Sequence, residues 1–338
     1  MRTGKDTSNA EPTAASDDAP RYPYVDAELF PALQALAAQI RRPLEPGGVE
    51  AARALVAQLV HDDTALTRGG AVVLEEHVAS GTDTTPDIPM LVLRPAGQTA
   101  ALPGILYIHG GGGVAGNRRS EMSEVTGWIE RIGVVVVSVE YRLAPEHTVA
   151  TMMEDVYAGL VWTADNATEL GVDPARLMIA GSSAGGALAA VLAAVARDRG
   201  GPDISHQVLL SPALDDRCET PSSYEFNAGG MLDRVSVVES WKNVLGEGTD
   251  RENLPVYASA ARIKDLTGLP PAFIEVGTAE PLRDEALDYA ARLSQAGVPV
   301  ELHVWPGAYH GSVMFVPEAR VSQAALATRE MYVARAAT

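Results

Sequence analysis

The sequence predicts an α/β fold built around a mostly parallel sheet. Strand-like apolar runs, ILYIH, VVVVSVEY, RLMIAGS, QVLLSPA, AFIEVG and VELHVW, alternate with helical stretches, and such alternation demands crossover connections and a sheet covered on both faces. The length, 338 residues with 46% hydrophobic positions, supplies a large core and allows one big domain or two smaller ones. Between RLMIAGS and an alanine-rich helical pattern stands the small-residue turn GSSAGG, a strand-turn-helix junction of the kind such folds use to present a side chain at a sheet edge.

Taken in order, residues 1–20 read as a solvated tail. Their Ser, Thr, Asp, Ala and Pro content buries too little surface to offset ordering entropy, and they contain neither a signal-peptide core nor a bilayer-length run. Residues 21–65 carry two helical patterns, Ala27 to Arg41 and Val49 to His61, parted by PLEPGG. Leu33, Leu36 and Ile40, then Ala52, Leu55 and Leu59, recur at helical spacing. From Ala71, AVVLEEHVA and MLVLRP flank the turn-rich SGTDTTPDIP and predict a hairpin. A helix through Met122, Val125, Ile129 and Ile132 is expected to start near Ser120 as N-cap, with Glu121 and Glu124 in its first turn. Farther on, the turn-rich TPSSYEFNAGG precedes a helix expected near Asp233 to Leu245, with Val235, Val238, Trp241 and Val244 on a packing stripe.

Charge and cysteine content exclude several classes of partner. A formal net charge of -18, from 26 basic and 44 acidic side chains, repels phosphodiester backbones and anionic membranes, so neither is an expected partner. Cys218 stands alone, which excludes an intrachain disulfide and a thiolate metal cage and suits the cytoplasm.

The stretch ILYIHGGGGVAG raises a choice between two anions. Gly111, Gly113 and Gly116 spell G-x-G-x-x-G behind a strand, and Glu140 closes the next apolar run where a ribose-binding acid would sit. A dinucleotide site, however, needs its helix to begin at the glycines, and here the chain runs on through Asn117 and Arg118 first. The nucleotide reading is therefore weak, and no cofactor is expected.

The turn at Gly181 to Gly185 fits G-x-S-x-G only when centred on Ser183, since centring on Ser182 would need glycines where Ala180 and Ala184 stand. A serine hydroxyl needs a base to take its proton and an acid to orient that base, both placed later in such a chain. Of the seven histidines, His206, His303 and His310 follow Ser183. His206 opens one strand and His303 lies inside another, whereas His310, in PGAYHGS, lies just past a strand end and is the candidate base. For the acid, Glu280 falls between a strand and a helix with Pro281 in its first position, at a cap site that glutamate fills poorly. Asp284 is the reserve. Glu285 is read with it as a first-turn carboxylate favoured by the helix dipole.

These residues together resemble the hormone-sensitive-lipase-like (bacterial family IV) branch of α/β-hydrolase esterases. The motifs are His109-Gly110-Gly111-Gly112, Tyr141-Arg142-Leu143-Ala144-Pro145-Glu146, GSSAGG, Glu280-Pro281-Leu282-Arg283-Asp284-Glu285 and His310-Gly311, in the family's order over about Ala71 to Ala327. The resemblance implies an eight-stranded, mostly parallel sheet with helices on both faces, over residues 66–338. It also implies a helical cap built from the N-terminal helices and an insertion at about 217–263. It implies a serine carboxylester hydrolase for short to medium acyl esters, without metal or organic cofactor. The oxyanion hole would be the amides of Gly111, Gly112 and Ala184. His109 would be structural, Tyr141 and Glu146 would buttress the loop, and a homodimer could form through the last strand and helix. Two departures stand out: Ser182 where the family commonly has Asp, and a glutamate where the acid is commonly Asp.

Rival chemistries lack their residues. None of Lys5, Lys242 and Lys264 stands three positions after a serine, no H-E-x-x-H occurs, and Glu146-His147 lacks the histidine an inverted zinc motif needs. Two alternatives stay open at this level: a non-catalytic binding protein for a small ester or lactone, and an amidase, lactonase or acyltransferase using the same three residues.

Overall fold

The computed structural model describes residues 24–39, 48–58, 60, 62–81 and 86–338. The tail expected over residues 1–20 lies outside the described residues, as do Ile40, Arg41, Leu59 and His61 of the two N-terminal helical patterns. The strands are β1 Val72–Ala79, β2 Ile88–Pro95, β3 Leu102–Ile108, β4 Val135–Val139, β5 Val172–Ser182, β6 Gln207–Leu210, β7 Ala272–Gly277 and β8 Val300–Trp305. They form an eight-stranded sheet in the order β1-β2-β4-β3-β5-β6-β7-β8. The expected hairpin is present as antiparallel β1 and β2, with β2 also antiparallel to β4. From β4 to β8 every pairing is parallel.

The helices of eight residues or more are α1 Phe30–Gln39, α2 Val49–Ala57, α3 Met122–Ile132, α4 Val149–Asp165, α5 Ala184–Arg199, α6 Arg234–Leu245, α7 Arg283–Gln295 and α8 Arg320–Ala336. Strand periodicity sorts them into two layers. Ile105, Tyr107, Val136 and Phe273 face a cluster with Trp128 of α3 and Val333 of α8. Their chain neighbours Leu106, Ile108, Val137 and Ile274 face the opposite cluster, with Val156 of α4, Leu192 of α5 and Tyr289 of α7. Alternation with period two thus gives each central strand two buried faces, and the runs read as continuously apolar for that reason. Helix α5 is buried along Gly185 to Ala196, which explains its alanine-rich composition: small side chains let it pass close beneath its neighbours. Among the described residues no helix is long and apolar enough to cross a membrane.

Three local expectations are corrected. Helix α3 starts at Met122 with Glu121, not Ser120, at the N-cap, in a left-handed conformation (φ 64°) and without side-chain capping. The Glu121 carboxylate turns inward instead, accepting from the Gly110 N–H and the Tyr107 hydroxyl, both at 3.0 Å. Helix α7 starts at Arg283 with Leu282 at its N-cap, so Glu280 is no cap and Pro281 precedes the helix. On α6 the buried stripe is Val237, Trp241, Val244 and Leu245, while Val235 and Val238 are half-buried.

Candidate active site

Parallel neighbours end on the same side of a sheet, and every sequence-predicted site residue follows such an end. The glycine loop follows β3, Ser183 follows β5, Glu280 follows β7 and His310 follows β8. Ser183 has φ 53° and ψ -117°, a region that ordinary residues avoid and that costs about 1–3 kcal/mol. Its N–H donates to the Leu210 carbonyl at 2.8 Å, and its own carbonyl accepts from Ala187 and Ala213, so backbone bonds hold the bend. The flanking glycines are sterically required. A Cβ on Gly181 would lie 2.3 Å from the Gly185 carbonyl oxygen, and one on Gly185 would lie 2.0 Å from that of Ile108.

His310 stands between serine and acid. Its Nε2 lies 3.1 Å from the Ser183 hydroxyl and its Nδ1 lies 2.6 Å from Glu280 Oε2. With the Nδ1 proton donated to Glu280, Nε2 is left as an acceptor for the serine proton. Glu280 is buried, and its other oxygen accepts from the Gly277 N–H at 2.8 Å and the Ser211 hydroxyl at 3.0 Å. These obligations explain why Glu280 does not cap α7. Asp284, the reserve, faces elsewhere: it accepts from the Ser222 N–H at 2.7 Å and from Arg283 at 2.8 Å. Glu285 lies in the first turn of α7 as expected, but away from solvent. It is buried, accepts from the Leu214 N–H at 2.7 Å, and burial holds its carboxyl well above the usual range.

His206 and His303 do not enter the site. His206 is half-buried beside Tyr332, and His303 stacks on Trp305 and pairs with Glu301 at 3.0 Å. His109 is fully buried against the Tyr141 ring, and burial pushes its imidazole below its ordinary pKa, so it is neutral near pH 7. Its Nδ1 donates to the Gly110 carbonyl at 2.7 Å, a structural position.

The glycine loop is braced from several elements. Gly111 has φ 108°, and a Cβ there would sit 2.2 Å from the Ala115 carbonyl oxygen, so only glycine makes this turn. The Tyr141 hydroxyl donates to the His109 carbonyl at 2.8 Å. Arg53 of α2 donates to the Val114 carbonyl at 2.9 Å and the Ala144 carbonyl at 3.1 Å while pairing with Glu146 at 2.6 Å. Ser240 of α6 donates to the Gly112 carbonyl. Asn117 to Glu121 intervene before α3 begins, and Glu140 is engaged by Arg118 at 2.7 Å, which leaves the dinucleotide reading without its helix or its acid.

Gly111, Gly112 and Ala184 line the same cavity as Ser183, Glu280 and His310, about 800 Å³ in volume. Ala184 opens α5, where the first amides have no intrahelical acceptor. One wall is apolar, with Leu55 and Val56 of α2, Leu188 and Val191 of α5, and Val237 and Trp241 of α6. On β7, Glu275 is buried and accepts from Arg329 at 2.6 Å and from the Trp305 ring N–H at 3.0 Å, while Arg329 also binds Glu124. Among the described residues no group of three or more His, Cys, Asp or Glu side chains could hold a metal ion. The start of the described chain also reaches the site. The Asp26 N–H donates to the Gly307 carbonyl at 3.0 Å, and Leu29 and Leu33 pack with Ala308 and Tyr309 beside His310.

A family model described as the alpha/beta hydrolase fold matches residues 105–314. The chain belongs to the hormone-sensitive-lipase-like branch of that family. Carboxylesterase NlhH of Mycobacterium tuberculosis is 38% identical over 270 residues, covering 79% of this chain and 83% of the relative. An ethyl acetate hydrolase of Pseudomonas putida is 33% identical, covering 66% and 70% of the two chains. The solved structure of a bacterial heroin esterase superposes with a TM-score of 0.85 at 36% identity, covering 94% of this chain and 99% of that one. Family motifs pointed to the Tyr141 and Glu146 braces; Ser211, Arg53 and Ser240 lie outside those motifs with partners 61 or more positions away, and Glu121 lies outside them with partners 11 and 14 positions back.

Proposed function

We propose that this carboxylesterase hydrolyses short to medium acyl esters through an acyl-enzyme on Ser183. The observation carrying the proposal is the continuous chain Ser183–His310–Glu280, with contacts of 3.1 and 2.6 Å. Ser183 attacks the ester carbonyl as its proton passes to His310 Nε2, while Glu280 fixes the ring and stabilises the imidazolium. The amides of Gly111, Gly112 and Ala184 receive the oxyanion, each donor contributing about 3 kcal/mol in the transition state. His310 then protonates the departing alcohol. Water enters, gives its proton to the same histidine and releases the acid. Glu280 in place of the usual Asp is accommodated because Ser211 and the Gly277 N–H fix its longer side chain.

A cavity of about 800 Å³ with an apolar wall suits a small ester with a few methylenes. Helices α1 and α2 and the 217–263 insertion act as its cap, a reading supported by Leu55, Val237 and Trp241 in that wall. The working compartment is the cytoplasm, consistent with a lone cysteine, Cys218, whose thiol burial pushes up to about 12. A homodimer would use β8, which among the described residues pairs with β7 alone and so lies at the edge of the sheet. The test is rapid mixing with p-nitrophenyl acetate: a p-nitrophenol burst of one equivalent per chain, abolished in Ser183→Ala, is expected. Wild-type turnover by Ser183→Ala would overturn the nucleophile, and failure of a fluorophosphonate to label the protein would favour a binding role.

A further inference from the structure

The charged groups that line the cavity are paired, with one exception among the described residues. Glu280 bonds His310, and Glu275 and Glu124 share Arg329. Arg68 and Arg131 are neutralised by Glu130 and Glu330, which lie outside the lining. The exception is Glu121, whose carboxylate meets no arginine, lysine or histidine among the described residues. Its sequence neighbours Arg118 and Arg119 turn instead to Glu76, Glu140 and Asp63. The side of the cavity bounded by α3 and α8 is acidic as a result, with Glu121, Glu124 and Glu275 against Arg329, and Glu124 Oε1 is buried there without a hydrogen-bond partner.

The unpaired charge stands beside the proposed nucleophile. Glu121 Oε2 is occupied by the Gly110 N–H and the Tyr107 hydroxyl, each at 3.0 Å, whereas Oε1 has no hydrogen-bond partner among the described residues. A Cβ built on Gly110 would lie 2.8 Å from that Oε1 and 3.5 Å from Ser183 Cβ, so one methyl group placed between them would touch both. A carboxylate held by one oxygen and open at the other is a fixed charge, and in a cleft partly walled from water it acts on a ligand more strongly than a carboxylate on open surface. It attracts a cation and repels an anion. We infer that Glu121 sets a substrate class: esters carrying an ammonium group two or three carbons from the ester linkage, a span that lets the cation meet Oε1 while the carbonyl sits at Ser183. The inference rests on the esterase reading above and gives it a preference among small esters.

The experiment compares acetylcholine with 3,3-dimethylbutyl acetate, which has the same shape with carbon in place of the charged nitrogen. The wild type should favour acetylcholine in kcat/KM by about tenfold, between the few-fold of an exposed ion pair and the larger effect of a buried one. That preference should shrink between about 0.01 M and about 1 M salt, as the screening length falls from about 30 Å to about 3 Å. Against p-nitrophenyl acetate, choline should inhibit at lower concentration than 3,3-dimethylbutan-1-ol by a similar factor. Glu121→Gln keeps an oxygen for Gly110 and Tyr107 and removes the charge, so the ratio of the two esters should fall to about one; any disturbance of the loop slows both esters and cancels in that ratio. The wild-type readings stand even where the variant does not fold. Equal kcat/KM for the two esters in the wild type, with equal inhibition by the two alcohols, would overturn the inference. So would a preference that survives Glu121→Gln, which would assign the cation to the face of the Trp241 ring. Failure of the underlying reading looks different: the wild type would hydrolyse neither these esters nor p-nitrophenyl acetate.

Discussion

The groups proposed to react and the segments that cover them are built by different means. Ser183, Glu280 and His310 sit at the ends of hydrogen-bonded parallel strands, and backbone bonds from Leu210, Gly277 and their neighbours fix the turns that carry them. The cover is tied down by side chains: Arg53 to Glu146 and Val114, Ser240 to Gly112, and Asp216 to Arg262 and Ser259. A reaction that tolerates errors of only about half an ångström is thus placed on the sheet. The part proposed to choose the substrate hangs on residues that can be exchanged singly without disturbing a strand.

The sharpest break of this contrast is Glu280→Gln. It keeps the shape but loses the charge that fixes the His310 tautomer, and kcat for p-nitrophenyl acetate is expected to fall by about 10⁴-fold, the scale of losing such an acid. Next is Arg329→Ala, which leaves buried Glu275 without its cation. Breaking a buried pair from one side costs about 3–5 kcal/mol, so denaturant unfolding should shift by that amount while kcat well below the melting point stays within about threefold. Trp241→Ala touches the cover alone. It should raise KM for p-nitrophenyl hexanoate by about tenfold, less than two buried methylenes' worth at about 0.8 kcal/mol each, and leave the acetate within about twofold.

The smallest effect concerns acid. Burial works against ionised Asp216, but the bidentate Arg262 pair at 2.8 Å and the Ser259 hydroxyl at 2.6 Å outweigh it and hold the carboxyl below its usual range. A depressed carboxyl stabilises the folded state fully above the unfolded value, about 3.9, and the contribution is lost as pH falls through the folded one. Pepsin cleavage within residues 217–263 should therefore rise below about pH 4, ahead of global unfolding, and Asp216→Asn should be cleaved readily at higher pH.

Where the sequence was legible, the information was local. AFIEVG is β7 from Ala272 to Gly277 and VELHVW is β8 from Val300 to Trp305, because their runs are bounded by glycine and proline turns. The register of G-x-S-x-G singled out Ser183, and the position of His310 past a strand end separated it from His206 and His303. Where the reading missed, long-range partners had overridden local preference. Ser120 is the better cap, yet Glu121 occupies the N-cap because its carboxylate serves Gly110 and Tyr107. Glu280 looked like a poor cap, and it is none: His310, Ser211 and Gly277 claim it. Ser211 and Ser240 carry no pattern, since a lone serine acquires meaning only from what folding brings opposite it.

The bond from the Asp26 amide to the Gly307 carbonyl, with Leu29 and Leu33 against Tyr309, makes the front of the chain a wedge under the loop of the proposed base. Trimming the protein back to the hairpin would therefore withdraw support from the imidazole as well as unroof the cavity. During synthesis the loop bearing that imidazole emerges long after the segment from Asp26 to Leu33 on which it docks, so the proposed base gains this support only when the two have met.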